Sequence, residues 1–270
     1  MPIFAAMKNN KIAFQTFGCK LNFAETSAIA RKFTASGYEI VDFREEADYY
    51  VIHSCTVTSQ AEKKTRAAIR QAARKNPEAS VAVIGCYSQL RPEEIHKING
   101  VDIILGNSDK YHLPEYIDNL RKHKAEKIPA PARPTDYEPG FSIGDRTRSF
   151  FKVQDGCDYF CTYCAIPFAR GRSRSATIAS TLEVARQIAS TEVKEIVLTG
   201  VNIGDFGRQN SESFTDLLKA LGQLEGIERI RISSVEPELL KDEIIALVAQ
   251  SQRFMPHFHI PLQSGTDRIL

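Results

Sequence analysis

Short apolar runs alternate with amphipathic stretches along nearly the whole chain, and this alternation restricts the fold more than any other feature. KIAFQTFGC (residues 11–19), ADYYVIHSC (47–55), SVAVIGC (80–86) and VDIILG (101–106) read as strands, rich in β-branched and aromatic residues. Between and after them lie FAETSAIARKFTASG, ended by Gly37, then SQAEKKTRAAIRQAARKN, stopped by Pro77, then RPEEIHKI and LPEYIDNLRKHK. Apolar residues recur in these at helical spacing. Continuous apolar strands interleaved with helices predict an open parallel sheet covered on both faces.

The same rhythm returns at Ser149. SFFKVQDGC, EIVLTGVN, RIRISSV and HFHIPLQS read as four strands of a barrel-like parallel sheet, separated by TLEVARQIAST, SFTDLLKALGQL and ELLKDEIIALVAQ. The sheet so built is an incomplete β/α barrel, and its open edge leads to the expectation that the sequence is a fragment. Residues 121–148 hold Pro129, Pro131, Pro134 and Pro139 with no apolar periodicity, which predicts a stiff, basic linker. The expected organisation is an N-terminal α/β domain over 8–120, that linker, and a partial barrel over 149–270.

No apolar run is long enough to span a membrane and the N-terminus lacks a basic leader with an apolar segment. A cytoplasmic protein, a monomer without membrane attachment, is expected. In that reducing setting six cysteines favour metal ligation over disulfides. A net charge of +2 points to no class of partner, so an RNA surface would have to be local.

Cys157, Cys161 and Cys164 form a C-x3-C-x2-C triplet. Spacing alone leaves two readings open: a zinc site closed by a distant fourth ligand, or an iron–sulfur cluster held through three irons, its fourth open to a small molecule. Cys19, Cys55 and Cys86 each end one of the first three expected strands. Carboxyl ends of parallel strands share a rim where ligands bind. Single cysteines there are ordinary buried residues; three in succession predict a second three-cysteine site.

In DGCDYFCTYCAIPFARGRSRS the triplet carries an aromatic residue, Tyr163, before its last cysteine. This resembles the cluster motif of the radical S-adenosylmethionine enzymes. With QTFGCKLN, HSCTVT, IGCYSQ, LTGVNIGDFG and HIPLQSGTD, the chain resembles the methylthiotransferases acting on tRNA and on a ribosomal protein. GCKLN, CTVT and NIGDFG are most like the branch acting on threonylcarbamoyladenosine. His53 and Ser54 depart from the pattern expected before the second cysteine, and the resemblance implies a longer protein with the rest of the barrel and an RNA-binding β-domain.

The resemblance implies two [4Fe–4S] clusters, one on Cys157, Cys161 and Cys164 and one on Cys19, Cys55 and Cys86. It also implies two molecules of S-adenosylmethionine per turnover, a methyl donor and a radical source. The product implied is 2-methylthio-N6-threonylcarbamoyladenosine at position 37 of tRNA, with the anticodon stem-loop and a reducing electron-donor protein as partners. Tyr163, Thr199, Gly200, Asn202, Ser233, Ser234, Glu236 and Gln263 become candidate cofactor contacts. Arg170, Arg172 and Arg174, alternating in ARGRSRS, become candidate phosphate contacts. The competing readings are isopentenyladenosine tRNA or a ribosomal protein as substrate, and a zinc-binding, RNA-docking module with no enzymatic activity.

Overall fold

The computed structural model describes residues 10–122, 132–144 and 147–269. It divides into two compact units, residues 1–22 with 26–134, and residues 23–25 with 135–270.

The first unit runs β1 (Lys11–Thr16), α1 (Lys20–Ala35), β2 (Glu39–Val41), β3 (Tyr49–Ser54), α2 (Ser59–Lys75), β4 (Ser80–Gly85), α3 (Cys86–Leu90), α4 (Pro92–His96), β5 (Ile103–Leu105) and α5 (Leu113–Lys122). Its sheet has the order β2-β1-β3-β4-β5 and every pairing is parallel. The strand side chains sort with a period of two. Tyr50, Ile52, Val81 and Val83 pack with Ala68, Ile69 and Ala72 of α2, while Tyr49, Val51, Ala82 and Ile84 pack with Ile29 and Phe33 of α1 and Leu113 and Ile117 of α5. Both faces are therefore buried. β2 was not anticipated: its three residues are half-exposed or exposed and give no apolar run.

The second unit contains β6 (Gly140–Phe141), β7 (Ser149–Lys152), α6 (Ile166–Arg170), α7 (Ile178–Ala189), β8 (Glu195–Thr199), α8 (Phe214–Gly222), β9 (Arg229–Ile232) and α9 (Asp242–Gln250). The sheet order is β6-β7-β8-β9, not closed into a barrel, with β7, β8 and β9 parallel. Its core joins Phe151, Ile196, Leu198, Ile230 and Ile232 to Ala185, Leu217, Leu218, Ile244 and Val248 from the helices.

Within residues 121–148, Gly140 and Phe141 pair antiparallel with Lys152 and Phe151, and the Ser142 hydroxyl accepts from the Phe150 amide at 2.9 Å. Pro129 and Pro131 lie outside the described residues. The segment 257–264 forms no continuous strand. Instead of the expected fourth strand it makes one isolated bridge among the described residues, Ser234 with His259; another, Ile230 with Phe254, lies just before it. Pro256 stands just before it and Pro261 within it, and neither has an amide hydrogen to give to a ladder.

Candidate metal and cofactor sites

In a parallel sheet of this order, the crevice opens where strand order reverses, between the carboxyl ends of β1 and β3. Cys19 lies there, at the N-cap of α1, where the helix dipole favours negative charge. Cys55 directly follows β3 and Cys86 directly follows β4. Gly18 has φ +104°, and a Cβ on it would sit 2.7 Å from Cys55 Cβ and 2.9 Å from Cys55 Sγ. The turn carrying Cys19 thus passes directly over Cys55, and only glycine permits both the conformation and the approach.

Asn22 ties this turn down: its Nδ2 donates to the carbonyls of Phe17 (2.8 Å) and Ser54 (3.2 Å), and its Oδ1 lies 3.8 Å from Cys19 Sγ. Asn107 Nδ2 donates to Cys86 Sγ at 3.5 Å, with its carbonyl held by the buried Lys110 ammonium at 2.8 Å. His53 and Ser54 are both fully buried. His53 Nδ1 hydrogen-bonds Thr26 Oγ1 at 2.8 Å, and Ser54 Oγ donates to the Ile84 carbonyl at 2.6 Å, so these residues brace the strand ends.

Cys157, Cys161 and Cys164 occupy a loop closed at its stem by reciprocal backbone bonds between Asp155 and Arg174 (2.9 and 2.8 Å) and by Cys157 N–H to the Gly171 carbonyl (3.1 Å). All three thiols are partly buried. Burial pushes the Cys157 thiol up, and Asp205, Cys164 and Cys161 add to the shift. Such a thiol is held neutral until a cation compensates its charge. Around the rim, Tyr163 is 76% exposed, and Phe160, at φ +49°, meets Phe168 edge-on at 5.8 Å.

Several expected cofactor contacts come together beside this loop. Tyr163 Oη donates to Gln263 Oε1 at 2.5 Å, the Gln263 side chain hydrogen-bonds Glu236, and the Glu236 amide approaches Asn202 Oδ1 at 3.4 Å. Asn202 is buried, and its Nδ2 has no hydrogen-bond partner among the described residues. A buried donor left open costs about 1–3 kcal/mol, which a ligand acceptor would recover. Gly200 follows β8 so closely against Gln154 that a Cβ would stand 2.9 Å from Gln154 Oε1. Burial raises the pKa of both Asp205 and Glu236; repulsion from Asp158 and Glu238 adds to it at Asp205, and repulsion from Glu238 and Asp205 adds to it at Glu236. Crowded carboxylates of this kind suit a cationic ligand such as a sulfonium bearing an ammonium group. Other candidates are committed to the fold: Thr199 Oγ1 donates to the Val197 carbonyl at 3.0 Å, Ser234 Oγ shares a 2.7 Å bond with His259 Nδ1, and Ser233 is buried.

Gln154 was missed by the motif reading, although it immediately precedes DGC. Its buried Nε2 donates to the carbonyls of Asp155 and Gly156 and to Ser173 Oγ, at 2.8–3.0 Å, while its Oε1 accepts from the amides of Val201 and Asn202 at 2.9 and 3.0 Å. One side chain joins the cysteine loop to the turn after β8.

The three arginines do not form a row toward solvent. Arg170 is 1% and Arg174 6% exposed, and both are ion-paired to Asp155, so they are corrected from phosphate contacts to internal residues. Arg172 alone of the three is exposed.

Among the described residues, no three Cys, His, Asp or Glu side chains converge closely enough to hold a metal ion as they stand. The donor chemistry nonetheless fits iron and sulfide: each set consists of three soft sulfur ligands on one rim or one loop.

Residues 11–106 match the family described as uncharacterized protein family UPF0004, and residues 151–270 match the radical SAM superfamily. Over 96% of its length the chain is 42% identical to threonylcarbamoyladenosine tRNA methylthiotransferase MtaB of Bacillus subtilis, covering 59% of that protein. It is 38% identical to the protein of that name from Aquifex aeolicus, covering 64% of it. A tRNA-2-methylthio-N(6)-dimethylallyladenosine synthase from Alkaliphilus oremlandii is 31% identical over the whole chain. The chain thus spans about 60% of the length of these curated relatives. The solved structure of the radical S-adenosylmethionine methyltransferase TsrM from Kitasatospora setae superposes with a TM-score of 0.64 over 93% of this chain and 59% of that one; at 13% identity this is a likeness of fold. With these two matched regions and near-complete alignment to the MtaB proteins, the chain is similar over nearly its whole length to the radical S-adenosylmethionine methylthiotransferases.

Proposed function

We propose that this chain is the cluster- and cofactor-binding part of a tRNA methylthiotransferase that inserts a methylthio group at C2 of N6-threonylcarbamoyladenosine 37. The observation that carries this reading is the 42% identity to MtaB across 96% of the chain. Cys157, Cys161 and Cys164 would hold one [4Fe–4S] cluster and Cys19, Cys55 and Cys86 the other; bound, these supply electron transfer to S-adenosylmethionine and the sulfur-carrying site. Asn202 offers its open amide to the cofactor, Glu236 and Asp205 lie where its cationic groups would be balanced, and Gly200 lets the backbone approach. Tyr163 and Gln263 cover the loop's open side, and Thr199, Ser233 and Ser234 shape the strand ends behind it.

Partners in this reading are the tRNA anticodon stem-loop, met by Arg172, and a reducing electron-donor protein, with the reaction taking place in the cytoplasm. No helix among the described residues is long and apolar enough to cross a membrane. The test is anaerobic reconstitution with iron and sulfide, together with nucleoside analysis of tRNA from a strain lacking the gene. About eight irons per chain and loss of the methylthio group from threonylcarbamoyladenosine are expected. Zinc without sulfide would overturn the enzyme reading, and loss of the isopentenyl derivative would overturn the substrate.

A further inference from the structure

Five charged side chains lie buried at the stem of the three-cysteine loop. Lys152 Nζ meets Glu25 Oε1 at 2.9 Å and Asp155 Oδ2 at 2.8 Å. Arg170 Nη1 meets Asp155 Oδ1 at 2.9 Å and Glu25 Oε1 at 3.1 Å, and its Nη2 reaches Glu25 Oε2 at 3.2 Å. Arg174 Nη2 meets Asp155 Oδ2 at 3.0 Å, its Nη1 holds the carbonyls of Arg170 and Arg172 at 2.6 and 3.0 Å, and its Nε holds that of Asp136 at 2.8 Å. None of the five is more than 6% exposed.

Burying this much charge is unfavourable unless the geometry rewards it, and apolar residues of similar volume usually stabilise a core at least as well. The arrangement has a directional logic instead. Asp155 leads into Cys157 from one stem, and Arg170 and Arg174 flank the other. The Asp155 carboxylate receives all three cations, and Arg174 Nη1 donates to the Arg170 and Arg172 carbonyls of the returning stem. Gly156 (φ +74°) lies between the stems, so close that a Cβ would stand 1.9 Å from the Arg172 carbonyl oxygen. The stems therefore cannot separate without breaking charge-assisted bonds in a buried setting, where those bonds are strong.

We propose that Lys152, Arg170 and Arg174, acting through Asp155, are positioning residues that fix the cysteine loop and place a buried positive field beneath the anionic thiolate-bound cluster, favouring its reduction. This rests on the reading that Cys157, Cys161 and Cys164 hold that cluster. Removing a cation from a buried set next to an anionic redox centre destabilises the more negative, reduced state.

The test uses the full chain reconstituted with iron and sulfide, and follows the S-adenosylmethionine-responsive cluster by EPR during a redox titration. Lys152→Met and Arg174→Met are expected to shift its midpoint potential to more negative values. Arg174→Lys, which keeps the charge but loses the planar fork, is expected to keep a potential near wild type while altering the line shape produced by S-adenosylmethionine. Circular dichroism identifies variants that fold. If Lys152→Met or Arg174→Met folds, an unshifted potential overturns the field. A wild-type line shape in Arg174→Lys overturns the positioning role even if both methionine variants fail to fold. A wild-type chain that takes up no iron and sulfide overturns the proposed function instead.

Discussion

Replacing Gly156 with alanine offers a quantitative test of how tightly the cysteine loop is closed. Gly37 provides the reference, because it has a similar positive φ (+83° against +74°) but nothing within 4 Å of where its Cβ would be. At Gly37 the substitution costs only the left-handed conformation, partly offset by the lower entropy of the unfolded chain, about 1 kcal/mol net. At Gly156 the same cost applies, and the new methyl would also stand 1.9 Å from the Arg172 carbonyl oxygen and 2.5 Å from its carbon. Both neighbours are backbone, so no side-chain rotation relieves the overlap. The stems must part by more than 1 Å (about the shortfall from van der Waals contact), breaking the two Asp155–Arg174 bonds and the Cys157–Gly171 bond. At about 1 kcal/mol each, these bring the total to about 4 kcal/mol. Urea denaturation of the metal-free chain, followed by far-ultraviolet circular dichroism, reads the difference directly; the absence of tryptophan favours dichroism over fluorescence. Equal destabilisation by Gly37→Ala and Gly156→Ala would refute the closed stem.

Gly18→Ala is expected to push its methyl into Cys55 and lower iron from about eight to about four per chain, leaving the cofactor-responsive EPR signal in place; full iron loading counts against the strand-end site. Glu195 accepts from Arg148, Arg229 and Arg231. Burial would raise its pKa, yet these arginines take it below the ordinary 4.5. Its stabilising effect is therefore present above that pH and lost as pH falls through the lower folded value. Glu195→Gln should flatten this acid-side loss in thermal melts, and an unchanged pH profile would argue against it. Arg172→Ala should weaken tRNA binding and reduce its log–log salt slope by about one; an unchanged slope removes Arg172 from the RNA surface.

What the sequence disclosed depended on how local each signal was. β3 and β4 are six-residue strands buried over nearly their whole length, and such runs stand out in any window. The cysteines at their ends were legible for the same reason, since a strand end is a local event. β2 and β6, three and two residues long, owe their existence to neighbours in the sheet rather than to their own composition. The segment 257–264 has the right alternation, but Pro261 within it and Pro256 before it remove donors a ladder needs. The arginines misled for a related reason. R-x-R-x-R reads locally as an extended basic arm, yet the partners that bury it, Asp155 and Glu25, lie 15 and 145 residues from Arg170. Gln154 escaped notice because an amide carries no motif of its own.

That amide has a chemical consequence of its own. Because nitrogen gives to one loop and oxygen receives from another, glutamate, its closest isostere, cannot stand in at position 154. A carboxylate has no hydrogen to give, and it would face two carbonyl oxygens with like polarity. The position is thus closed to acidic exchange despite identical shape, and a single nitrogen-to-oxygen swap there would uncouple two loops that otherwise share every displacement.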